Sequence, residues 1–306
     1  MFSRREFLRK AALLSSAAAV STTGGLAAGA EGKLSPPIVV FSKVFQPLKL
    51  NYEQAAEVAA EAGLDGVDAP LRPGGEIEPE RAREELPRYI GALRKRKLGM
   101  PLLTTAIISP DSPHAEDILH TAKKLGVQYY RVGFMEQEKD VPVDKQLQEA
   151  KAKLKDLAAL NKEVGIGGIV QNHSPSGHSY LGGDLGQLEM LVRDLNPAHM
   201  GIAFDIGHAV IVHGDGWRPH FEKLKFHFRI AYVKDAKREG RWVPFGQGDV
   251  AQTGYFTLLR QLGYQAPISL HIEYDWSDKG ANKTRAGLIK ALRESSTVLR
   301  SWLAQA

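Results

Sequence analysis

The chain has 306 residues, of which 43% are hydrophobic and 25% are charged, a composition typical of a globular protein that can bury a sizeable core. The absence of cysteine excludes a disulfide framework, thiolate metal ligands and a cysteine nucleophile. The formal net charge is +5, but residues 1–30 contain four basic residues and one acidic residue, so residues 31–306 carry only +2. This near balance argues against a nucleic-acid-binding protein.

The first 30 residues have the pattern of an export signal. Arg4 and Arg5 precede a short apolar run over residues 11–20, and an A-x-A sequence ends at Ala30. The stretch resembles the twin-arginine signal; an amphipathic helix with a basic end explains neither the paired arginines nor the A-x-A site. The apolar run is too short to span a bilayer. We therefore expect the twin-arginine export machinery to deliver a soluble domain of residues 31–306 to the periplasm or another exported location.

From residue 38 onward, short β-branched apolar runs alternate with segments of helical periodicity. The predicted strands span residues 38–41, 66–69, 102–108, 128–132, 166–171, 200–204, 230–234 and 268–272. The predicted helices span residues 52–62, 80–98, 116–125, 143–164, 185–195, 217–226, 256–262 and 284–303. Eight such units predict a single α/β domain, a (β/α)8 TIM barrel. An open doubly wound sheet is the alternative, but the first strand is not followed by its G-x-G-x-x-G fingerprint.

Polar side chains lie at the carboxyl ends of the predicted strands or directly after them. In chain order they are Asp68, Arg131, Gln171, Asn172, His173, Asp205, His208, Lys234, Asp235, His271 and Glu273. One such residue alone is usually a helix cap or a turn former. Because the carboxyl ends of barrel strands converge on one pocket, their repetition around the barrel predicts a functional site there.

Several of these residues lie in longer motifs. The motifs are residues 130–133 (YRVG), 172–173 (NH), 201–208 (GIAFDIGH), 233–235 (VKD), 245–249 (FGQGD) and 272–273 (IE). In this order and spacing they resemble the sugar phosphate isomerase/epimerase family, the xylose-isomerase-like TIM barrels, over residues 38–303. The resemblance implies one divalent metal, held by a Glu, an Asp, a His and a Glu at the ends of strands five to eight.

By this resemblance Asp205 and Glu273 occupy two metal-ligand positions, whereas Gln171 replaces the first Glu and Tyr232 replaces the His. A neutral tyrosine is a poor ligand for Mg²⁺ or Mn²⁺. His271 shares a face of the eighth strand with Glu273 and could supply the missing nitrogen. We therefore predict a divalent Mn, Mg or Zn ion held by Gln171, Asp205, Glu273 and His271. The alternative for His271 is a satisfied barrel residue.

The resemblance also implies removal of a proton next to a sugar carbonyl. The family's epimerases use a glutamate on each face of the enediolate, and Gln171 cannot accept a proton. We therefore predict a one-base reaction, either isomerisation or β-elimination, with Glu273 as the base and His208 or Lys234 as the second proton carrier. The residues predicted to bind substrate are Arg131, Asn172, His173, Asp235 and Trp242.

Two function classes remain open. The first is an exported, metal-assisted isomerase/epimerase-like enzyme that acts on a keto-sugar or a glycoside. The second is a metal-free carbohydrate-binding protein that kept the barrel and lost catalysis, which Gln171 and Tyr232 favour. A DNA-repair enzyme of the same fold would need more metal ligands and a basic face. The polar loop over residues 174–183 is either a lid or a plain connection.

Overall fold

The computed structural model describes residues 34–277 and 282–306, so the predicted export signal lies outside the described residues. Eight parallel strands close into a barrel in which each strand pairs with the next in sequence and the last pairs with the first. The strands are β1 (Ile38–Phe41), β2 (Gly66–Leu71), β3 (Gly99–Thr105), β4 (Tyr129–Arg131), β5 (Gly167–Gln171), β6 (Met200–Asp205), β7 (Phe228–Val233) and β8 (Ile268–Leu270). The predicted (β/α)8 barrel is confirmed.

Helices connect the strands and cover the outside of the barrel. They are α1 (Tyr52–Glu61), α2 (Ala82–Lys95), α3 (Ala115–Lys124), α4 (Val143–Val164), α5 (Leu185–Val192), α6 (Ile206–His213), α7 (Trp217–Leu224), α8 (Tyr255–Gln261) and α9 (Arg285–Gln305). Among the described residues, no helix combines the length and the apolar character needed to cross a membrane.

The apolar core has two layers. A small inner layer fills the barrel, with side chains from β1, β3, β5, β6 and β7: Val39, Leu102, Ile169, Ala203, Ile230 and Tyr232. A much larger outer layer lies between the strands and the helices. Because successive strand side chains point to opposite faces, strands buried on both faces read as continuous apolar runs in the sequence. This pattern explains why the strands could be located in the sequence.

Most strand boundaries differ from the predicted ones by up to three residues, and two of these differences bear on the site. Strand β3 was predicted to continue to Ile108 but ends at Thr105, whose hydroxyl accepts a hydrogen bond from the Ile107 N–H at 3.2 Å. That side-chain bond turns the backbone away from the ladder. Strand β8 ends at Leu270 rather than Ile272. His271 nevertheless keeps a backbone hydrogen bond to Val233, so the polar residues after β8 still face those after β7.

Helix α6 and a short hairpin were absent from the prediction. Helix α6 begins directly after β6, with Asp205 as its N-cap, because Oδ1 of Asp205 accepts the His208 N–H at 3.2 Å. The hairpin joins Ala236–Lys237 to Arg241–Trp242 after β7. Both additions lie at the carboxyl end of the barrel, where they build the walls of the site described below.

A buried carboxyl group lies above the inner apolar layer. The side chain of Asp68 in β2 is fully buried and accepts hydrogen bonds of 2.9 Å from the hydroxyls of Thr104 and Ser269. Burial raises the pKa of Asp68 to about 6, although these hydrogen bonds and the charge of Arg131 act in the opposite direction. The ionised form of Asp68 is therefore less stable in the folded protein than in the unfolded chain.

This shift predicts that Asp68→Asn stabilises the folded protein relative to wild type increasingly as the pH rises. Below pH 4 both states of the wild type keep the Asp68 proton, and between about pH 4 and 6 only the folded state keeps it, so folding loses stability as the pH rises. The asparagine does not titrate. Relative to wild type, we expect its free energy of unfolding to improve by about 2 kcal/mol between pH 4 and pH 7. Urea unfolding at both pH values measures this change.

The exposed residue Asp111 provides the control, because Asp111→Asn should leave the stability difference from wild type nearly constant over the same range. An equal pH response of the two variants would contradict the assignment to Asp68.

Candidate active site

A cavity of about 270 Å³ opens at the carboxyl ends of the strands. Six of the residues predicted to form the site line it: Arg131, Gln171, His173, Lys234, His271 and Glu273. Its wall also contains residues outside the predicted catalytic, metal and substrate-binding set: Phe41, Lys43, Arg72, Thr104, Phe134, Ser176, Tyr180 and Tyr232. All of these residues lie near a strand end or in the loop that follows it. The cavity is small, which suits a ligand the size of a monosaccharide.

The amine of Lys234 is the most connected polar group of the site. Its Nζ lies 2.9 Å from Nε2 of His208, 3.2 Å from Oδ2 of Asp205 and 3.9 Å from Oε1 of Glu273. The residue is only 3% exposed. Its stem passes against Gly207, where a Cβ atom would lie 2.9 Å from the Lys234 carbonyl oxygen, so glycine is required there.

Asp205 is held from two sides. Its fully buried Oδ2 accepts a hydrogen bond from Nε2 of Gln171 at 2.9 Å. The same oxygen lies 3.2 Å from Nζ of Lys234. The Asn172 side chain bonds both the backbone N–H and the carbonyl of Asp205, at 2.7 and 2.9 Å. Burial raises the pKa of Asp205, and the charge of Lys234 opposes that shift. Asn172, predicted to bind substrate, instead joins the ends of β5 and β6.

The two central histidines are neutral. Burial and the charge of Lys234 lower the pKa of His208 well below its usual value, and the same two effects lower that of His173 to about 4. Their ring centres lie 3.8 Å apart. Nδ1 of His208 accepts the backbone N–H of Ser174 at 3.1 Å. His173 lines the cavity, whereas His208 lies behind Lys234.

Glu273 supplies the carboxylate of the cavity. Its side chain is 25% exposed, and its oxygens lie 3.7 Å from Lys43 and 3.9 Å from Lys234. These distances exceed those of direct hydrogen bonds, so both oxygens remain free to contact a ligand. A carboxylate that is accessible, close to cations and at the cavity wall has the properties of a general base.

One wall of the cavity is aromatic. Phe134 stacks on Tyr180 with ring centres 4.4 Å apart, and the guanidinium of Arg131 lies 4.2 Å from the centre of the Phe134 ring. Burial lowers the pKa of Arg131 to about 10, so it stays cationic at neutral pH. Tyr180 and Ser176 belong to the loop over residues 174–183, which therefore contributes directly to the cavity.

Two other residues predicted to bind substrate lie outside the cavity wall. The carboxylate of Asp235 accepts backbone N–H groups from Gly246 and Gly248 at 2.9 and 2.8 Å, so it anchors the glycine-containing loop after the hairpin. Trp242 packs edge-on against His208 and lies 5.0 Å from the Lys234 amine, behind both residues. It therefore shields the amine from solvent rather than facing a ligand.

The four predicted metal ligands do not fit a divalent cation. Within residues 34–277 and 282–306, no cluster of three or more histidine and carboxylate side chains has metal-binding geometry. Oδ2 of Asp205 is occupied by donors from Gln171 and Lys234, and a cation would have to displace the amine. His271 bonds the Ser269 hydroxyl at 3.1 Å and stacks against Phe41, as in the satisfied-residue alternative.

Tyr232 does not supply the missing ligand either. It is fully buried, and burial together with the charge of Asp68 raises the pKa of its hydroxyl well above the usual value, so a phenolate is not accessible. The predicted ligand set therefore does not fit a divalent cation, because the Asp205 carboxylate already pairs with the Lys234 amine and the Gln171 amide.

A larger cavity of about 570 Å³ lies at the opposite end of the barrel, beside Asp65, Arg94 and Tyr129. It is at the amino ends of the strands, and residues at that end of such barrels serve stability. The chemistry therefore belongs to the smaller cavity.

Comparison with known proteins identifies the family. A family model described as xylose isomerase-like TIM barrel matches residues 56–301. The chain belongs to this family. The match covers most of the described barrel, in agreement with the resemblance seen in its motifs. No curated protein matches the sequence.

Solved structures resemble this xylose isomerase-like barrel at low identity. D-psicose 3-epimerase from Clostridium cellulolyticum has a TM-score of 0.67 and 11% identity, over 87% of this chain and 99% of its own. The 3-keto-D-glucoside 4-epimerase from E. coli has a TM-score of 0.65 and 16% identity, over 87% of this chain and 100% of its own. D-allulose 3-epimerase from Methylomonas sp. has a TM-score of 0.66 and 13% identity, over 90% of this chain and 99% of its own. At these identities the similarity concerns the fold.

The occupied Asp205 carboxylate predicts that the barrel does not depend on a metal. Wild-type protein purified without chelator should contain far less than one Mn, Mg or Zn ion per chain, and EDTA should leave its melting temperature unchanged. Asp205→Asn should have the same metal content as wild type. Elemental analysis beside thermal melts measures both quantities. One ion per chain that is lost in Asp205→Asn would contradict this conclusion.

Proposed function

We propose that this xylose isomerase-like barrel is a sugar isomerase/epimerase-like enzyme that removes a proton next to the carbonyl of a keto-sugar or a glycoside. The observation that carries the proposal is the pairing, in one small cavity, of the accessible Glu273 carboxylate with the buried amine of Lys234, 3.9 Å apart. One group can accept a proton while the other stabilises the charge that develops on the carbonyl oxygen.

Glu273 is the base in this mechanism. The substrate carbonyl faces Lys234, which supplies the positive potential or hydrogen bond that a metal would otherwise provide. Arg131, buried at the cavity wall, adds a second fixed cation. Gln171 stands at a wall position where a second carboxylate would be needed for a two-base epimerisation. A one-base reaction follows, in which Glu273 returns the proton to the neighbouring carbon or removes it in a β-elimination.

The substrate class rests on the shape of the cavity and on the names of similar proteins. The aromatic wall of Phe134 and Tyr180 suits the C–H faces of a sugar ring. The structural neighbours include enzymes named for D-psicose and for a 3-keto-D-glucoside. A carbohydrate-binding protein without catalysis uses the same features, so the test has to follow the chemical step itself.

Proton exchange with solvent provides that test. D-psicose, D-fructose and a methyl 3-keto-glucoside are incubated with the protein in D₂O, and loss of the C–H signal next to the carbonyl is followed by proton NMR. We expect wild type to exchange at least one of them, and Glu273→Gln to slow the exchange by at least about 100-fold. The glutamine keeps the shape of the side chain and cannot accept the proton.

Glu136→Gln is the matched control. It makes the same chemical change at an exposed position, since 66% of the Glu136 side chain is accessible, and should leave the exchange rate unchanged. Saturable sugar binding to wild type with no exchange would favour the carbohydrate-binding alternative over the enzyme.

We also propose that the chain is exported through the twin-arginine machinery on the basis of residues 1–30. Replacing Arg4 and Arg5 together by lysine should retain the protein in the cytoplasm with its N-terminal segment uncleaved, because the paired guanidinium groups distinguish this signal. Cell fractionation and N-terminal sequencing measure the result, and exported wild type should begin at Glu31. Arg9→Lys, outside the pair, should be exported normally; export of the double variant at the wild-type level would contradict the proposal.

A further inference from the structure

We propose that the cavity recognises a sugar that carries an anionic group, a carboxylate or a phosphate, through the guanidinium groups of Arg72 and Arg131. The inference deepens the proposed function and rests on it for the keto-sugar class of the substrate. It adds a specificity-determining residue, Arg72, which directly follows β2 and was absent from the predicted site.

The cavity wall has more basic side chains than carboxylates. Among the described residues that line it, the only carboxylate is Glu273, and the basic residues are Lys43, Arg72, Arg131 and Lys234. Each lysine lies near a carboxylate. Nζ of Lys43 is 3.7 Å from Glu273, and Nζ of Lys234 is 3.2 Å from the buried Asp205. The excess of positive charge therefore belongs to the two arginines.

The guanidinium of Arg72 has unused hydrogen-bonding capacity. Within residues 34–277 and 282–306 its side chain makes no hydrogen bond and no salt bridge, although it is half-buried. Burial lowers the pKa of Arg72, and the charges of Asp68 and Glu273 act in the opposite direction. A partly desolvated cation with five free N–H donors is costly without a partner, so an anionic ligand gains affinity there.

A tight turn fixes the backbone of Arg72. Its N–H donates to the carbonyl of Ile77 at 3.1 Å, and its carbonyl accepts the N–H of Gly75 at 2.8 Å. At Gly75 a Cβ atom would lie 2.4 Å from the carbonyl oxygen of Pro70, so this turn requires glycine. The turn preorganises Arg72 at the cavity wall, which reduces the entropy that a ligand has to offset on binding.

Arg131 provides the second guanidinium. Its Nη1 donates to the carbonyl of Val132 at 2.9 Å, and its other face lies against the ring of Phe134. The charge of Arg72 contributes, after burial, to the lowered pKa of Arg131, because the two cations repel each other. An anion between them removes this repulsion, and guanidinium groups match the oxygens of a carboxylate or a phosphate.

The buried Asp68 does not replace such an anion. Its two carboxylate oxygens already accept hydrogen bonds from the hydroxyls of Thr104 and Ser269. Its single charge acts on both Arg72 and Arg131, so the pair keeps a net positive charge. A second negative charge, supplied by the ligand, balances the two guanidinium groups.

The position of Arg131 is compatible with the proposed reaction. Arg131 ends β4, and Glu273 follows β8, which lies on the opposite side of the eight-stranded barrel. A sugar in the cavity can therefore place its carbonyl near Glu273 and its anionic group near the arginines. The volume of about 270 Å³ suits a single monosaccharide with one such group.

Three sugars with one ketose skeleton test the proposal on the full chain. D-fructose, D-fructuronate and D-fructose 6-phosphate differ only at C6, which is an alcohol, a carboxylate or a phosphate ester. Isothermal titration calorimetry at pH 7 and low salt measures their affinities. We expect at least one anionic sugar to bind at least about tenfold more tightly than D-fructose, because it adds charge-assisted hydrogen bonds. The tighter of the two identifies the anionic group.

Three variants assign the preference to Arg72. Arg72→Gln removes the charge and should reduce the ratio of anionic to neutral affinity at least about fivefold. Arg72→Lys keeps the charge without the planar fork and should retain part of the ratio. Arg88→Gln is the matched control on α2, where 63% of the side chain is accessible, and should leave the ratio unchanged. The comparison of the three sugars on wild type does not depend on how these variants fold.

The outcomes separate this inference from the proposed function. Equal affinities for the three sugars, no binding of any of them, or a preference that survives Arg72→Gln overturns the anionic-group assignment. If proton exchange still depends on Glu273, the proposed function then stands with a neutral substrate. A preference that depends on Arg72, without proton exchange on any sugar tested, supports the anionic subsite and counts against the proposed reaction.

Discussion

The site depends on one constraint, the burial of the Lys234 amine next to the buried carboxylate of Asp205. A buried amine is costly unless its hydrogen-bonding capacity is satisfied. Asp205 and His208 lie within hydrogen-bond distance of it. The Asn172 side chain bonds the backbone N–H and carbonyl of Asp205, and the backbone N–H of Ser174 donates to the His208 ring. The ends of β5, β6 and β7 are therefore locked together around this amine.

The fold could be predicted from the sequence because alternating periodicity and short connections leave few topologies for eight strand–helix units. The omissions have local causes. Helix α6 was missed because its N-cap, Asp205, was interpreted only as a site residue, and because its sequence is apolar without a polar face. The hairpin after β7 has strands of two residues, too short for a periodic signal.

The residues that line the cavity could be predicted where a side chain follows a strand into the barrel mouth, but not where backbone N–H groups bind the predicted side chain. Lys234 and Glu273 were found because they follow strands. Asp235 follows a strand as well, yet its oxygens bind the N–H groups of Gly246 and Gly248, a loop arrangement that spacing cannot reveal. Phe134 and Tyr180 were missed because loop conformation alone brings them to the cavity.

The contacts of Lys234 explain the two positions, Gln171 and Tyr232, at which the chain departs from the metal ligands that the family resemblance implies. Gln171 in place of a carboxylate removes one negative charge, and Tyr232 in place of a histidine removes one nitrogen ligand. Both changes weaken the affinity for a divalent cation, and Gln171 instead donates to Asp205, which leaves that carboxylate matched to a single amine. Loss of a metal alone would leave an uncompensated buried carboxylate, at a cost of several kcal/mol. The barrel instead keeps the amine of Lys234 3.9 Å from the accessible Glu273 carboxylate, and this pair is the basis of the proposed proton abstraction next to a carbonyl.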